Sequence, residues 1–341
     1  MKILLTGGHG FIGSNFILKA LSANFDIVNL DKNSTDIFLK NNNIEQYENS
    51  YTFMEVDILD KKSIYEIVDS YKPDFIVHFA AESHVDNSIL DPELFLNTNI
   101  IGTYNLLSAS KDLIMNDKRF LFVHISTDEV YGELGSKDPP FKETNQYMPN
   151  SPYSASKAAS DHLVRSFYKT YGLRSVITNC SNNYGKNQHP EKLIPHSILR
   201  LSNNLKIPIY GNGLQVRDWL YVDDHCSAIL AIMESFNKIH CTYNVGTRNE
   251  LKNIDLIQKI VNIFFDDELD LNDFIENVSD RKGHDIRYSI DPGKLENELG
   301  WKSHSDFDKS LEETINWYKE NSWILENKSD LLSKIPTESF K

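Results

Sequence analysis

Gly7-Gly8-His9-Gly10-Phe11-Ile12-Gly13 stands between an apolar, β-rich run at residues 2–6 and a stretch of helical spacing at residues 11–23. No other feature limits the possible folds as much. Glycines at Gly7, Gly10 and Gly13 let a chain turn sharply out of a strand and come close to a pyrophosphate. They also leave the N-terminus of the next helix facing that charge. A glycine triplet alone is weak, but here it lies in the strand–turn–helix setting that the role requires. Asp31 closes the next β-rich run, residues 26–31, where a carboxylate meets ribose hydroxyls and repels a 2′-phosphate. NAD is therefore expected rather than NADP. Asp57, read as the end of a third run at residues 51–57, is placed to hydrogen-bond an adenine. The competing reading makes the glycines ordinary turns and Asp31 a helix cap.

Further β-rich runs fall at residues 74–80, 120–127 and 173–180, separated by helical spacing at 63–71, 92–111 and 151–171. Such alternation calls for parallel strands joined by crossover helices on both faces of a sheet. The nearly unbroken apolar character of residues 75–79 and 120–125 fits strands covered on both sides. The expected fold class is therefore α/β, a Rossmann-type doubly wound parallel sheet with a smaller C-terminal α/β substrate lobe. Pro and Gly punctuate the chain after residue 187. The expected division is a dinucleotide domain at 1–186, a lobe at 187–323 and a tail at 324–341, with a segment near 222–250 returning to the first domain. Residues 33–49, polar and rich in Asn, read as a surface insertion.

Composition narrows the function. A net charge of −14 over 341 residues argues against a nucleic-acid partner, which needs excess Lys and Arg. No apolar run approaches the ~20 residues that span a bilayer, and a strand pattern follows Met1 directly, so neither a membrane nor a leader is expected. Cys180, Cys226 and Cys241 are scattered and odd in number. They read as reduced core thiols in a cytoplasmic protein, with no metal expected.

Two clusters carry chemistry. Tyr153 and Lys157 are four apart in a helical stretch and share a face, so the ammonium can favour the tyrosinate. A tyrosinate can take the proton of a sugar hydroxyl while hydride leaves the same carbon. Ser126-Thr127-Asp128-Glu129-Val130-Tyr131-Gly132 lies at the end of the fifth β-rich run, where open α/β sheets bind ligands. Two adjacent carboxyls can act as acid and base if their surroundings separate their pKa values. Thr-Asp-Glu also suits the start of a helix, and the residues alone leave both readings open.

The resemblance is specific at this point. Residues 6–15, Ala80-Ala81-Glu82-Ser83-His84-Val85-Asp86, residues 126–132 and Tyr153–Lys157 carry it in the first half. Cys180-Ser181-Asn182-Asn183-Tyr184-Gly185, Pro190-Glu191-Lys192-Leu193-Ile194-Pro195, Val216-Arg217-Asp218-Trp219-Leu220-Tyr221-Val222 and residues 280–285 carry it in the second. Over residues 1–323 the chain resembles the dTDP-glucose 4,6-dehydratases, a branch of the extended short-chain dehydrogenases/reductases. The glycine motif and Tyr-x-x-x-Lys point only to the superfamily, whereas Thr127-Asp128-Glu129 discriminates, because related epimerases and decarboxylases usually lack the acid pair.

The resemblance implies that Tyr153 takes the C4-hydroxyl proton with Thr127 bonded to that oxygen, that Glu129 removes the C5 proton, and that Asp128 protonates the departing C6 hydroxyl. It implies NAD contacts from Gly7, Gly10, Phe11, Ile12, Gly13, Asp31, Lys32, Asp57, Ile58, Ala80, Ala81, Ser83 and Thr98, with Tyr153, Lys157 and Asn183 near the nicotinamide. Lys157 would hold the nicotinamide ribose and tune Tyr153. For the nucleotide sugar it implies Ser83, Thr127, Asn182 and Arg217 about the sugar and diphosphate. Lys192, Leu193, Pro208, Ile209 and Tyr210 would lie on the nucleoside side, and Asn253, Arg281 and His284 would close the pocket. Arg217 has its own rationale, since a guanidinium fork matches phosphate oxygens, against the alternative of an ion pair with Asp218. Departures are Lys186 and Lys282, where the family usually has Pro, and the segment after Asp31. The superfamily habit also implies a homodimer built on the helices at 92–111 and 151–171. Open alternatives are UDP-glucose as substrate, a 4-epimerase or decarboxylase in which the acid pair is idle, and a coenzyme sensor without catalysis. His78 and His124, in strands read as buried, are expected to be satisfied core histidines.

Overall fold

The structure, a computed structural model, describes residues 1–34, 36–114, 120–236, 241–280, 283–326 and 332. In β1 (Lys2–Thr6), Ile3, Leu4 and Leu5 are all inaccessible to solvent. Ile3 and Leu5 pack with Phe16 and Ile17, whereas Leu4 packs with Ile64, Val68 and Leu106 on the opposite face. Successive side chains thus enter two helical layers, as a strand covered on both sides requires.

β1 is the hinge of a seven-stranded parallel sheet. β2 (Asp26–Asp31) and β3 (Tyr51–Glu55) add to one side; β4 (Phe75–His78), β5 (Leu121–Thr127) and β6 (Ser175–Cys180) add to the other. The strand order reverses between β1 and β4, opening a crevice at their C-terminal ends, where the glycine loop lies.

After β6 the chain leaves the sheet. It forms β7 (Asn182–Tyr184), β8 (Ile207–Tyr210), β9 (Val216–Tyr221) and the helix Val222–Glu234. It then returns as β10 (Cys241–Val245), parallel to β6 at the sheet edge. β11 (Glu250–Lys252) joins β9 and β7 in a small sheet, and β12 (Ile275–Val278) pairs with β8. β7 begins two residues after β6 ends, so the smaller sheets grow directly from the ligand-facing end of the large one.

Several boundaries differ from the sequence reading. β3 stops at Glu55, and Asp57 lies in the following turn, its Oδ1 accepting from Leu59 N at 2.8 Å. Residues 33–49 are more than a surface insertion. Asp36 caps the helix Ile37–Asn41, whose Phe38 and Leu39 are buried, and the Phe38 ring meets Trp317 edge-on at 5.9 Å. The helical spacing at 92–111 is divided into Pro92–Leu96, a π-helical turn Asn97–Gly102 and Thr103–Ile114. The helix Pro152–Tyr171 has full punctuation: a Ser151–Ser154 capping box, Pro152 in its first turn and Gly172 in the left-handed region at φ 74°.

Among the described residues no helix is long and apolar enough to cross a membrane. Cys180 and Cys226 are buried free thiols, and the Cys241 side chain lies outside what is described. His78 is satisfied on both ring nitrogens, by Thr6 Oγ1 at 2.7 Å and Thr103 Oγ1 at 2.9 Å. His124 is equally buried but only half satisfied: Nε2 contacts Ser160 Oγ at 3.1 Å, while Nδ1 is buried without a hydrogen-bond partner, so the expectation of a satisfied core histidine holds for His78 alone. Of the expected tail, residues 327–331 and 333–341 lie outside the described residues, and Leu332 O accepts from Arg200 Nη1 at 3.0 Å.

Candidate active site

The glycine loop has the shape its spacing implies. Gly7 sits at φ 75°, and a Cβ there would fall 2.5 Å from Ala80 N; one on Gly13 would fall 2.3 Å from Gly7 O. Such contacts leave room for hydrogen only. The helix Phe11–Ser22 starts at Gly10 with no side chain capping its N-terminus, the arrangement that receives a pyrophosphate. Phe11 and Ile12 form its first turn. Asp31 is buried, with Oδ2 accepting from His9 N at 2.9 Å and Oδ1 from Asn33 N at 3.0 Å. A carboxylate has about four acceptor positions, so these bonds orient Asp31 and leave capacity for ribose hydroxyls. Lys32 pairs with Glu82 at 2.7 Å. Ile58 is buried over Gly102, and Thr98 is buried in the π-helical turn. Ala80 and Ala81 follow β4 across the crevice, Ala80 N lying 3.4 Å from Thr6 Oγ1. These residues fit a dinucleotide carrying a free 2′-hydroxyl.

The end of β5 carries the second cluster. Thr127 caps the short 3-10 turn Asp128–Tyr131, its Oγ1 accepting from Glu129 N at 3.3 Å. The capping reading of this segment is therefore met. Asp128 is 2 % exposed, Thr127 Oγ1 lies 3.4 Å from its Oδ1, and its Oδ2 is buried without a hydrogen-bond partner. Burial, then Glu129 and Asp218 beside it, push the Asp128 carboxyl well above the usual range. These surroundings favour its neutral form. Glu129 lines the cleft between the lobes. The neighbouring acids thus occupy different surroundings, one dry and one facing the cavity.

Tyr153 is buried and hydrogen-bonds the Thr127 side chain. Burial, followed by Glu129, pushes its phenol well above the ordinary value of 10.0. The expected depression by Lys157 is therefore not what dominates here. Lys157 is buried too and donates from Nζ to Ile125 O at 2.7 Å; burial lowers its pKa and Asp161 opposes that.

A cavity of about 550 Å³ opens above this cluster. Its walls include Ser83, Asn182, Asn183, Lys192, Leu193, Pro208, Tyr210, Arg217, Asn253 and His284, which the fold gathers from distant parts of the chain. Ile209 is the exception: strand alternation in β8 turns Pro208 and Tyr210 outward and buries Ile209 in the core. Arg281 lies outside the described residues. Arg217 is buried and donates to Val216 O and Asp285 O, whereas Asp218 accepts from Thr247 and Asn249. Lys192 Nζ reaches across to Ser83 O at 2.9 Å, and Tyr210 OH to Asp86 Oδ2 at 3.2 Å. His284 Nδ1 contacts Asp280 Oδ1 at 2.6 Å.

Three residues escaped the sequence reading. Asn99 bonds both the backbone of Glu82 and Ser156 Oγ, joining the Ser83 loop to the Tyr153 helix. His225 Nδ1 contacts Asn183 Oδ1 at 2.8 Å, which turns the Asn183 amide nitrogen toward Ser181 O and Cys180 Sγ. Tyr288 lies under Arg217. Each acts through a partner remote in sequence, so no local spacing marks it.

Comparison with known proteins agrees with this geometry. The family model described as GDP-mannose 4,6 dehydratase matches residues 4–314. A probable dTDP-glucose 4,6-dehydratase of Sinorhizobium fredii is 46% identical over 333 residues, covering 95% of this chain and 94% of the relative. The dTDP-glucose 4,6-dehydratase of Salmonella typhimurium is 45% identical over 349 residues, 96% of each chain. Among solved structures, the dTDP-glucose 4,6-dehydratase DesIV of Streptomyces venezuelae, with NAD and TYD bound, superposes with a TM-score of 0.86 at 38% identity, over 95% of this chain and 98% of that one. The chain belongs to the dTDP-glucose 4,6-dehydratase family, within the extended short-chain dehydrogenases/reductases.

Proposed function

We propose that this protein is an NAD-dependent lyase that converts dTDP-glucose into dTDP-4-keto-6-deoxyglucose by removing water across C5 and C6. The carrying observation is the split acid pair at the end of β5: Asp128 buried in surroundings that favour its neutral form, Glu129 facing the cleft, with Tyr153 and Thr127 alongside. An oxidoreductase acting at one carbon would need only the tyrosine.

In this reading NAD, held by the glycine loop and Asp31, accepts hydride from C4 and returns it to C6. Tyr153, hydrogen-bonded to Thr127, takes the C4-hydroxyl proton. The ketone formed at C4 acidifies C5, and Glu129 removes the proton there. Asp128 donates its proton to the leaving C6 hydroxyl, a role for which its raised pKa suits it, and as hydride reaches C6 the protonated Glu129 returns a proton to C5. Arg217 and Asn182 hold the diphosphate, Ser83 the sugar, and Lys192, Leu193, Pro208, Tyr210 and the Ile209 backbone the nucleoside, with Asn253, Arg281 and His284 closing over it. Asn183, Lys157 and Thr98 lie on the coenzyme side with Lys32, Asp57, Ile58, Ala80 and Ala81.

Residues 1–186 with the segment near 222–250 act as the coenzyme domain, and 187–323 as the nucleotide-sugar lobe. A homodimer is supported by Leu90, Leu94, Leu96, Ile101 and Tyr104, all substantially exposed along one segment beside the Tyr153 helix. The buried thiols Cys180 and Cys226 support a reducing, cytoplasmic setting.

Turnover followed by mass decides the matter. Incubation with dTDP-glucose should give loss of one water with no net NADH. Failure with both dTDP- and UDP-glucose would reject the reading, and the ratio of kcat/KM for the two nucleotides identifies the preferred base.

A further inference from the structure

Asp161 lies four residues beyond Lys157 on one face of the helix Pro152–Tyr171 and is 1 % exposed. Its Oδ2 accepts from Ser126 Oγ at 2.9 Å, and its Oδ1 lies 3.3 Å from His124 Nε2. Ser160 Oγ gives its only hydrogen to Lys157 O at 2.8 Å, so in its 3.1 Å contact with His124 Nε2 it accepts. His124 therefore carries its proton on Nε2 and is neutral, as its burial also favours.

The other titratable groups facing the pair come from every packed element. His78 on β4 is likewise held neutral by burial. Cys180 on β6 is a thiol that burial pushes up to about 12. Tyr147 and Tyr131 approach from the segment between β5 and the helix, and both are pushed up by burial. Asp128, Glu129 and Tyr153 lie beyond the end of β5. Lys157 Nζ and Asp161 Oδ2 are anchored on consecutive residues of β5, Ile125 O and Ser126 Oγ, which holds the two buried groups side by side without a direct contact. A buried ammonium needs such an anion nearby, since its desolvation otherwise drives off the proton.

We infer that Asp161 is a positioning residue: it is the buried counter-charge that keeps Lys157 an ammonium, and through Ser126 it ties that charge to the strand end bearing Thr127, Asp128 and Glu129. The inference rests on the dehydratase reading, in which Lys157 acts on Tyr153 as a cation. The electrostatics agree in both directions. Burial lowers Lys157 and Asp161 opposes it, whereas burial raises Asp161 to about 6 and Lys157 opposes that. Above about pH 6 the carboxylate is therefore charged. Removing it takes away the larger of the two contributions that oppose desolvation of Lys157, and the ammonium is lost at lower pH.

Protein labelled with 13C at the lysine ε-carbons, the Lys157 resonance identified by its disappearance in Lys157→Met, tests this without any turnover. In Asp161→Asn the Lys157 midpoint should fall by roughly 1 unit or more, and the basic limb of kcat/KM should move down with it; Asp161→Glu should restore both. An unchanged midpoint in folded Asp161→Asn overturns the inference. Should that variant not fold, the wild-type titration decides: the Lys157 resonance should show a second, smaller step as Asp161 protonates on the acid side, and its absence overturns the inference. Wild-type protein inactive on nucleoside-diphospho-glucose would instead defeat the dehydratase reading and leave the resonance test standing.

Discussion

The Arg217 guanidinium lies 4.3 Å from the centroid of the Tyr288 ring, while its Nη1 and Nη2 donate to the backbone at 2.8 Å and 3.0 Å. The ring holds the fork flat and the carbonyls fix its rotation, so the cation is oriented in advance, as the proposed diphosphate role requires. Lysine keeps the charge but can neither stack nor fork. Arg217→Lys is expected to raise KM for the nucleotide sugar about 10–100-fold, the equivalent of ~1.5–3 kcal/mol for a charged hydrogen bond, with a smaller change in kcat. Steady-state kinetics check this; an unchanged KM would remove Arg217 from the diphosphate.

Asp128 and Glu129 should be separable by isotope exchange. If Glu129 removes the C5 proton, Glu129→Gln should incorporate no deuterium at C5 in heavy water, with turnover down about 10²–10⁴-fold. Asp128→Asn cannot protonate the leaving hydroxyl, so it should retain C5 exchange while releasing little product. Proton NMR of the recovered nucleotide sugar reads both, and wild-type exchange in Glu129→Gln would exclude it as the base.

Asp128 also makes a prediction about stability. Its folded pKa lies above the ordinary value of 3.8, so the folded state binds the proton more tightly than the unfolded chain does. The resulting stabilisation is complete below 3.8 and is lost as pH rises through the elevated folded value. At neutral pH Asp128→Asn, with no charge to ionise, should therefore melt at a higher temperature than wild type while losing turnover. The advantage should fade as pH falls below about 4, where wild-type Asp128 is protonated in both states. Calorimetry across pH measures it; a lower melting temperature at neutral pH contradicts the electrostatic account.

The glycine loop should show a graded response. A Cβ on Gly13 meets Gly7 O at 2.3 Å and Gly8 Cα at 2.9 Å, both backbone, whereas one on Gly10 meets only Gly7 O at 3.2 Å. Gly13→Ala is expected to abolish co-purification of NAD and its thermal protection, and Gly10→Ala to weaken both partially. Equal effects would mean that the steric argument is wrong.

The parts of this molecule legible in its sequence are those whose physics is local. Gly7, Gly10, Gly13 and Asp31 are close enough in the chain for one turn and one strand to place them, and uninterrupted apolar runs mark β4 and β5. Ile209 was also readable: alternation with Pro208 and Tyr210 predicts an inward side chain, and the resemblance carried all three to the cleft together. Residues 33–49 misled because their Asn-rich composition concealed Phe38 and Leu39, which find burial in the main core beside the helix Phe11–Ser22, with Phe38 also against Trp317 near the end of the chain. Asn99, His225 and Asp161 depend on partners brought close only once the sheet has assembled, and the π-helical turn at Asn97–Gly102 has no signature in residue spacing.

β10 has a consequence for how the chain can be divided. Because Cys241–Val245 pairs with β6, the strand that completes the large sheet is made only after the first part of the smaller lobe, β7 to β9, has been threaded. A fragment ending at residue 186 would carry β6 as a bare margin of unpaired amides and carbonyls, open to a neighbouring copy. Neither half is a module that a single cut can release: the lobe is assembled from both sides of β10, with β7, β8 and β9 before that strand and β11 and β12 after it, so the large sheet is stitched through the middle of the smaller one.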